Sequence, residues 1–245
     1  MEESKALARL LFKARRAVVF GGAGVSTESG IPDFRSTDGL YHQQWRYPPE
    51  TILSRTFFDR RPDDFFRFYK EKMLFPSALP NAAHRALARW EAEGRLSAVV
   101  TQNIDGLHQA AGSKNVVELH GSVLRNHCMR CGKSYAMEDI LHADGVPRCD
   151  CGGVIKPDVV LYEEQLPEDA IEKAMDAIER ADLMIVGGTS LSVYPAAAFA
   201  AAYRGPLVIV NRSVTQMDER ADLVIREPIG QTFEAACRFM ETDQQ

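Results

Sequence analysis

Short apolar runs alternate with longer amphipathic segments along most of the chain. The apolar runs are AVVF (17–20), SAVVT (97–101), LMIVGG (183–188) and PLVIVN (206–211). The segments 81–94 and 167–181 precede two of these runs and space their apolar residues with the period of a helix. Gly94 and Pro167 stand where a helix is expected to stop and to start. Runs of β-branched residues that alternate with amphipathic helices predict an α/β fold, with a parallel sheet covered on both faces.

Two regions interrupt this alternation. Residues 36–80 are rich in aromatic residues, arginine and proline, and this composition predicts a helical insertion. Residues 123–155 contain four of the five cysteines together with turn-forming residues. In a chain of 245 residues we therefore expect one α/β domain with two insertions, which together form a smaller lobe.

The composition is that of an ordinary soluble globular protein, with 45% hydrophobic and 26% charged residues. A formal net charge of −5 argues against a broad surface for anionic lipid or nucleic acid, so no direct nucleic-acid binding is expected. Residues 1–20 predict an amphipathic helix that runs into a strand, which differs from a signal peptide. No apolar stretch has the length of a membrane span. We expect a cytoplasmic protein with no membrane partner, in which cysteines bind metal or remain free thiols.

Four cysteines form two closely spaced pairs. Cys128 and Cys131 form a C-x-x-C motif, and Cys149 and Cys151 form a C-x-C motif. Glycines follow both pairs and allow the tight turns in which backbone amides approach a thiolate. Four thiolates suit one tetrahedral Zn²⁺ ion and leave no position open for substrate, so the site would be structural. The alternative is four unrelated buried cysteines, and Cys237, on a helical stretch, is expected in the core.

The first apolar run leads directly into the glycine-rich stretch GGAGVSTESG, residues 21–30. Glycines let a pyrophosphate approach the backbone closely, and a following helix N-terminus favours its negative charge. Gly22 and Gly24 fit the first two positions of a G-x-G-x-x-G motif, but Thr27 occupies the third. A plain structural turn is therefore an equal alternative when this stretch is taken alone. The Ser26 and Thr27 hydroxyls and the following IPDFR favour a dinucleotide site.

Polar residues also follow the other predicted strands. They are Gln102, Asn103 and Asp105 after the second run, Thr189 and Ser190 after the third, and Asn211 after the fourth. Parallel sheets bind ligands at the carboxyl ends of their strands, so we expect these side chains to line one site. The alternative for Asp105 is that it caps the short helix that follows it.

Taken together, these stretches resemble the sirtuins, a family of NAD-dependent protein lysine deacylases. GAGVSTESGIPDFR, TQNIDGLH, ELHG, the cysteine pairs and GTSLSVYPAA occur in the family's order, and the likeness covers roughly residues 7–240. The resemblance implies a Rossmann-like parallel-sheet domain and a smaller lobe made of a zinc ribbon and the helical insertion. The implied division of the single catalytic unit 1–245 is a large domain of about 1–35, 81–122 and 156–245, the helical insertion 36–80 and the zinc-binding module 123–155.

The resemblance also implies the reaction, in which NAD is consumed and acetyl groups are removed from lysines of proteins or peptides. The acyl-lysine carbonyl oxygen attacks C1′ of the nicotinamide ribose and expels nicotinamide. A general base then takes a proton from the ribose hydroxyls, so that the 2′-oxygen attacks the amidate carbon. Collapse of this intermediate releases free lysine and O-acetyl-ADP-ribose.

His120, in ELHGS, has three interpretations from the residues alone. It could be a core histidine after a strand, a further metal ligand, or a base. The four cysteines already complete a zinc site, which makes another ligand unnecessary. The resemblance assigns His120 to the general base, and imidazole accepts a proton near neutral pH.

The resemblance assigns roles at the NAD site to further residues. Asn103 and Asp105 would join His120 in catalysis. Asn103 would orient the ribose and a water, and Asp105 with the Ile104 backbone would hold the nicotinamide carboxamide. Phe34 would shield the water-sensitive cationic intermediate. The other residues expected to contact NAD are Ala23, Thr27, Arg35, Gln102, Thr189, Ser190, Asn211 and Ile229.

The acyl-lysine tunnel is expected, again from the resemblance, between two segments. Val160, Tyr162 and Val193 would flank the acyl chain, while 163–165 and 192–194 would hold the peptide as an added strand. Tyr162 and Glu163 depart from the phenylalanine and glycine that the family usually has there. The extra carboxylate of Glu163 is expected to favour basic residues beside the acetyl-lysine.

A second departure concerns the acyl group. Sirtuins that prefer succinyl or malonyl groups carry tyrosine and arginine three residues apart in the helical insertion, whereas this chain has Tyr69 and Lys72. Lysine lacks the planar fork that binds a carboxylate through two hydrogen bonds, so we expect a neutral acyl group, acetyl first.

Two other functions remain open from the sequence. The same cleavage of NAD could end in ADP-ribosylation of a protein. A zinc-ribbon module that binds nucleic acid or senses NAD without turnover is the non-enzymatic alternative, against which the acidic balance argues.

Overall fold

The computed structural model describes residues 2–34, 36, 39–42 and 45–242. Numbered in chain order over the whole protein, the strands of its larger sheet are β1 (Ala17–Gly21), β2 (Leu96–Thr101), β3 (Val116–Glu118), β7 (Leu183–Gly187), β8 (Leu207–Val210) and β9 (Leu223–Ile225). They lie in the order β3-β2-β1-β7-β8-β9, and every neighbouring pair is parallel. The parallel sheet predicted from the four apolar runs is confirmed. Its strand order reverses between β1 and β7, the point where such sheets bind ligands.

The helices are α1 (Glu2–Lys13), α2 (Pro49–Ile52), α3 (Arg55–Arg60), α4 (Pro62–Lys72), α5 (Ala82–Ala92), α6 (Leu107–Ala110), α7 (Met137–Leu141), α8 (Glu168–Glu179), α9 (Ala196–Ala202) and α10 (Ile229–Thr242). The helices predicted over 81–94 and 167–181 are therefore confirmed as α5 and α8. No helix in the described part of the chain has the length and apolar character that crossing a membrane requires.

Both faces of the sheet are buried because helices cover each of them. Alternate residues of β1 point to opposite faces. Val19 packs with residues of α1, α5 and α10, and Phe20 packs with residues of α8 and α9. Both side chains are fully buried, and burial of each contributes about 1.5–3 kcal/mol to folding. Cys237 is buried in the first of these clusters, so its predicted place in the core is confirmed.

The start of α5 matters for the site described below. The Asn81 side chain accepts hydrogen bonds from the backbone amides of Ala83 and His84, and the His84 ring accepts one from the Asn81 amide. This reciprocal capping satisfies amides that would otherwise lack partners at the helix end. It also fixes the His84 ring on the side of the helix that faces the glycine-rich turn.

A second, antiparallel sheet lies outside the large one. Its strands are β4 (Gly121–Cys128), β5 (Ser134–Tyr135) and β6 (Ile155–Val159), in the order β5-β4-β6. An aromatic cluster packs the helices of the insertion against this sheet; its rings include Phe57, Phe58, Phe65, Phe66, Phe68 and Tyr69. The sheet extends beyond both ends of the predicted module 123–155, whose boundaries remain a proposal, like the rest of the domain division.

Candidate active site

The glycine-rich turn after β1 packs directly against the turn after β7. The amide of Gly22 donates to the Gly187 carbonyl at 3.1 Å, and that of Gly24 donates to the Gly188 carbonyl at 2.8 Å. A Cβ atom on Gly24 would lie 2.8 Å from the Gly188 Cα, and one on Gly22 would lie 2.7 Å from the Thr189 Cβ. The two glycines are therefore required for contact between the turns. They bring the end of β1 to the end of β7, at the reversal point of the sheet.

The polar ends of β2 and β7 meet across this point. The side-chain amide of Gln102 donates to the Thr189 hydroxyl at 3.2 Å, and the Gln102 backbone amide donates to the Gly21 carbonyl. The Thr189 hydroxyl also accepts from the Leu191 amide. The structure thus places Gln102 and Thr189 on one rim, as their positions after the carboxyl ends of two parallel strands predict; β1 lies between these strands.

Ser26 is the centre of a hydrogen-bond network on this rim. Its hydroxyl donates to the Asp105 carboxylate at 2.6 Å and accepts from the Asn103 side-chain amide at 3.0 Å. The other Asp105 oxygen accepts from the Leu107 amide at 2.9 Å. The N-cap residue of α6 is Gly106, but Asp105 accepts from the first amide of the helix and takes part in the network at the same time, so the two interpretations of this residue are compatible. Ser26 is 1% exposed. The sequence identified it only as a hydroxyl in the glycine-rich turn and did not predict this network.

Two buried histidines lie beneath the network. The His84 ring nitrogen Nε2 is 3.5 Å from the Ser26 hydroxyl, and the His84 and His108 ring centres are 4.8 Å apart. Burial, with a smaller contribution from Arg85, lowers the pKa of His84 to about 4. Burial and the neighbouring His84 lower the pKa of His108. Both rings are therefore neutral near pH 7, and sequence reasoning missed both.

His120 lies on the same rim, between the two sheets. Its Nδ1 is 2.9 Å from the Gln102 carbonyl oxygen, and its own carbonyl accepts from the Val160 amide at 3.0 Å. A carbonyl can only accept, so Nδ1 carries the proton and Nε2 holds the free lone pair in the neutral ring. Burial lowers the pKa of His120, and the hydrogen bond to Gln102 offsets part of that change. The ring is thus a neutral imidazole held in a single tautomer.

The next residue, Gly121, explains how His120 is held between the sheets. Its φ is +73°, and a Cβ atom there would lie 1.9 Å from the Asp158 carbonyl oxygen. Only glycine fits so close to the backbone of β6 with this left-handed conformation. The chain consequently turns from β3 of the large sheet into β4 of the small one immediately after His120.

The residues predicted for the ADP half are spread along the ends of β7 and β8. The Ser190 hydroxyl lies 2.7 Å from that of Ser192, and the Asn211 side chain donates to the Ser213 carbonyl at 2.9 Å. Thr27 donates its hydroxyl to the Gly24 carbonyl within the turn. Ile229 is 5% exposed and packs into the core at the start of α10. Its side chain can therefore offer a ligand only a small apolar surface.

The remaining predicted residues that the structure describes lie in the segments that follow β1, β2, β6 and β7, which we call the mouth of the proposed site. Ala23 and Ile104 are partly buried on the turns after β1 and β2, and Val160 and Val193 are also partly buried. The Ile104 carbonyl accepts from the Val123 amide, so a ligand contact with this backbone would use its N–H group. The Phe34 ring packs edge-on against Tyr41. Arg35 lies outside the described residues.

The four predicted cysteine ligands come together in the small sheet. Their Sγ atoms all lie within 4.8 Å of one another, with Cys128 and Cys151 at 3.5 Å and Cys131 and Cys149 at 3.6 Å. Four thiolates about 2.3 Å from a tetrahedral Zn²⁺ would be about 3.8 Å apart, so the geometry fits one ion. The Arg130 amide points at the Cys128 sulfur, 3.4 Å away, as a thiolate favours. With all four positions filled, the ion would hold the fold of the small lobe.

Comparison with known proteins gives matches over nearly the whole chain. The model of the Sir2 family matches residues 22–195. An NAD-dependent protein deacetylase of Clostridium acetobutylicum is 54% identical over 239 residues, which cover 96% of this chain and 98% of that protein. A solved structure of Sir2 with a p53 peptide and NAD+ has a TM-score of 0.85 at 44% identity and covers 98% of both chains. Another, of Sir2 with an inhibitor, 2′-O-acetyl-ADP-ribose and a deacetylated p53 peptide, has a TM-score of 0.84 at 42% identity, covering 98% of this chain and 99% of that one.

Proposed function

Since this chain belongs to the Sir2 family, we propose that it is an NAD-dependent protein lysine deacetylase in which His120 is the general base. The enzyme consumes NAD and an acetyl-lysine, and it produces nicotinamide, O-acetyl-ADP-ribose and free lysine. The observation that carries the assignment of His120 is its hydrogen bond to the Gln102 carbonyl, which leaves Nε2 unprotonated at the polar rim. A neutral imidazole of this tautomer can accept a proton from a ribose hydroxyl.

The network around Ser26 supports the positioning of the nicotinamide end of NAD. Asp105 is held at both oxygens, by Ser26 and by the Leu107 amide, so its carboxylate has a single orientation. We assign Asp105 and the Ile104 N–H group to the nicotinamide carboxamide. Asn103, whose side-chain amide donates to Ser26, is assigned to the ribose and a water.

The rest of the NAD molecule would lie along the rim. Its pyrophosphate would sit at the turn that contains Ala23 and Thr27, beside Gln102, with Arg35 as its charged partner. The ADP end would extend over Thr189, Ser190 and Asn211 towards Ile229. Phe34 would cover the ribose and keep water from the cationic intermediate.

The substrate side of the site is proposed at the loop after β6. Val160 follows directly on β6, and Tyr162 and Val193 are at the mouth, where an acetyl-lysine would enter. The acyl group is acetyl, and the partners are acetylated proteins or peptides in the cytoplasm. The net charge of −5 supports the absence of a direct nucleic-acid partner.

Zn²⁺ supplies no chemistry to this reaction. When bound by Cys128, Cys131, Cys149 and Cys151 it would crosslink β4 to the turn before β6. The residues of that lobe then keep the loop after β6 in place next to His120. The role of the ion is therefore stability of the lobe.

The experiment that tests this function mixes zinc-loaded protein, NAD and an acetyl-lysine peptide, and follows three products by mass spectrometry. We expect nicotinamide, deacetylated peptide and O-acetyl-ADP-ribose in equal amounts. The His120→Tyr variant should lose turnover to all three, with at most one nicotinamide released per enzyme because the base acts after that step. His142→Asn, which changes an exposed histidine outside the site, should keep them. Nicotinamide without deacetylated peptide would contradict the proposal and favour transfer of ADP-ribose to protein. No turnover by folded wild-type protein with a panel of peptides would favour a binding module.

A further inference from the structure

Two tyrosine hydroxyls meet at the mouth of the site. The Tyr41 hydroxyl lies 3.1 Å from that of Tyr162, although 121 residues separate them in the chain. Tyr41 belongs to the segment that follows Phe34, on the proposed NAD side. Tyr162 belongs to the loop after β6, on the proposed acetyl-lysine side. One hydroxyl donates to the other, so a direct hydrogen bond joins the two substrate sides.

Tyr41 is linked to Phe34 in two ways. The Tyr41 amide donates to the Phe34 carbonyl at 2.9 Å, and the two rings pack edge to face with centroids 6.0 Å apart. A displacement of Tyr41 would therefore be transmitted to the ring that covers the ribose. Tyr41 therefore connects Phe34 to Tyr162, which the Tyr41 hydroxyl contacts.

Tyr162 is anchored on its own side by the backbone. Its amide donates to the Leu53 carbonyl at 3.0 Å, and its carbonyl accepts from the Arg55 amide at 3.0 Å. These bonds attach the loop to the segment between α2 and α3. Tyr162 is 38% exposed, and its hydroxyl extends from a fixed backbone to that of Tyr41.

We propose that the hydroxyl pair of Tyr41 and Tyr162 positions Phe34 according to the state of the acetyl-lysine loop, so that peptide and NAD bind cooperatively. This inference rests on the proposed function. A peptide that packs against the Tyr162 side chain fixes the position of its hydroxyl, which favours the Tyr41 position and hence the Phe34 position that covers NAD. By thermodynamic linkage, NAD then strengthens peptide binding by the same factor. Phenylalanine at 162, as the family usually has, would lack this contact.

The size of the effect follows from the chemistry of the contact. A hydrogen bond between two neutral, partly exposed hydroxyls changes an equilibrium by about twofold to tenfold. We therefore expect the peptide to tighten NAD binding in the wild-type protein by a factor of this size through the hydroxyl pair, in addition to any other coupling.

The test uses Tyr162→Phe, Tyr41→Phe and the double variant, each of which keeps its ring and loses only a hydroxyl. Tyr203→Phe is the matched control, because the Tyr203 hydroxyl bonds to the Ala181 carbonyl, in the cluster on the α8 and α9 side of the sheet. The Michaelis constant for NAD is measured at low and at saturating peptide, together with kcat and the three products. The Tyr41 side chain also has contacts besides this one, so the double variant is needed to isolate the pair.

In the wild-type protein and in Tyr203→Phe, we expect saturating peptide to lower the Michaelis constant for NAD. In Tyr162→Phe the factor by which peptide lowers this constant should be about threefold smaller than in the wild-type protein. The double variant should show the same factor as Tyr41→Phe. A substitution that only destabilised the fold would leave the coupling between peptide and NAD unchanged. An unchanged coupling in Tyr162→Phe, or fully additive effects in the double variant, would overturn the inference. Failure of the proposed function would appear separately, as missing products in the wild-type protein.

Discussion

The backbone amide of Thr56 donates to the carboxylate of Glu163 at 2.9 Å. Thr56 lies in the first turn of α3, so the Glu163 side chain satisfies an amide that helices leave unpaired and sits at the positive end of the helix. Hydrogen bonds from Thr56 and the nearby charge of Arg60 lower the pKa of Glu163. Glu163 has a φ of +75°, a conformation that favours glycine. The contact with α3 is one that glycine, the residue the family usually has here, could not make.

The first prediction concerns the selectivity that Glu163 confers. Because Thr56 and Arg60 already attract its carboxylate, its effect on a basic peptide should be small. Glu163→Gln, which keeps the shape and removes the charge, should reduce the preference for lysine-rich over neutral peptides by about twofold to threefold in kcat/KM. Glu163→Gly should do the same and also raise the Michaelis constant for both peptides, because the loop loses one of its attachments to α3. An unchanged preference in both variants would show that Glu163 does not contribute to peptide selectivity.

The second prediction concerns acid stability and the buried histidine pair. In the unfolded chain both histidines take up protons below about pH 6.5, whereas in the folded protein burial holds the pKa of His84 at about 4 and also lowers that of His108. Their contribution to stability is therefore complete above pH 6.5 and is lost as the pH falls from there towards 4. Each neutral buried histidine should add about 1.4 kcal/mol per pH unit to the slope of unfolding free energy.

His108→Leu tests this prediction by urea unfolding between pH 5 and pH 7.5. Both ring nitrogens of His108 are buried and have no hydrogen-bond partner among the described residues, so an apolar side chain should be tolerated at pH 7.5. The slope below pH 6.5 should decrease by about 1.4 kcal/mol per unit relative to the wild-type protein. The exposed His142→Ala variant should keep the wild-type slope. Identical slopes in wild type and His108→Leu would contradict the lowered pKa.

The third prediction concerns the pH dependence of deacetylation. The base must be neutral to accept a proton, and burial lowers the pKa of His120. The protonated, inactive form should therefore accumulate only below the ordinary histidine range, and kcat/KM should be flat above about pH 6.5. The measurement is kcat/KM for an acetyl-lysine peptide from pH 5 to pH 8.5, with stability checked at each pH. An acid limb centred above 6.5 would be inconsistent with His120 as the titrating base.

The fourth prediction concerns the metal. Purified protein should contain one zinc per chain, and Cys149→Ser should lose it, because three thiolates and a hydroxyl make a much weaker site. The small lobe should then unfold at lower temperature than the large domain, since its strand β5 has only two residues. Cys237→Ser, with the change buried in the core of the large sheet, should keep the zinc. Metal analysis and thermal unfolding measure both effects, and full zinc content in Cys149→Ser would exclude this ligand set.

The fifth prediction concerns the acyl group. Tyr69 is fully buried and stacks on Phe65, with ring centroids 5.5 Å apart, while the Lys72 ammonium pairs with Glu71 at 3.0 Å. Tyr69 is neutral and buried in the aromatic cluster, and Lys72 already pairs with Glu71, so a succinyl carboxylate would lose its hydration without a free cationic partner. We expect kcat/KM for succinyl-lysine to be at least about tenfold below that for acetyl-lysine. Lys72→Arg should not rescue it, and equal rates for the two peptides would contradict the prediction.

Local signals were sufficient for the framework of the fold. The apolar runs at 17–20 and 183–188 predicted buried parallel strands because a strand covered on both faces needs apolar residues on both. The paired cysteines predicted a closed metal site because ligands two and three positions apart can bind one ion with little help from the fold. His120 was singled out by its resemblance to a family motif, since its own environment is not visible in the sequence.

Only the tertiary structure decided which residues that are distant in the chain come into contact. Ser26 meets Asp105, 79 positions away, and lies near His84, 58 positions away, because the strand order places the turns after β1 and β2 side by side over α5. The packing of the turn after β1 against the turn after β7 explains why Gly24 must be glycine, a question that the sequence left open between a phosphate site and a plain turn. Strand order and helix docking result from burial of the whole core, so no local pattern encodes which side chains will meet at its edge.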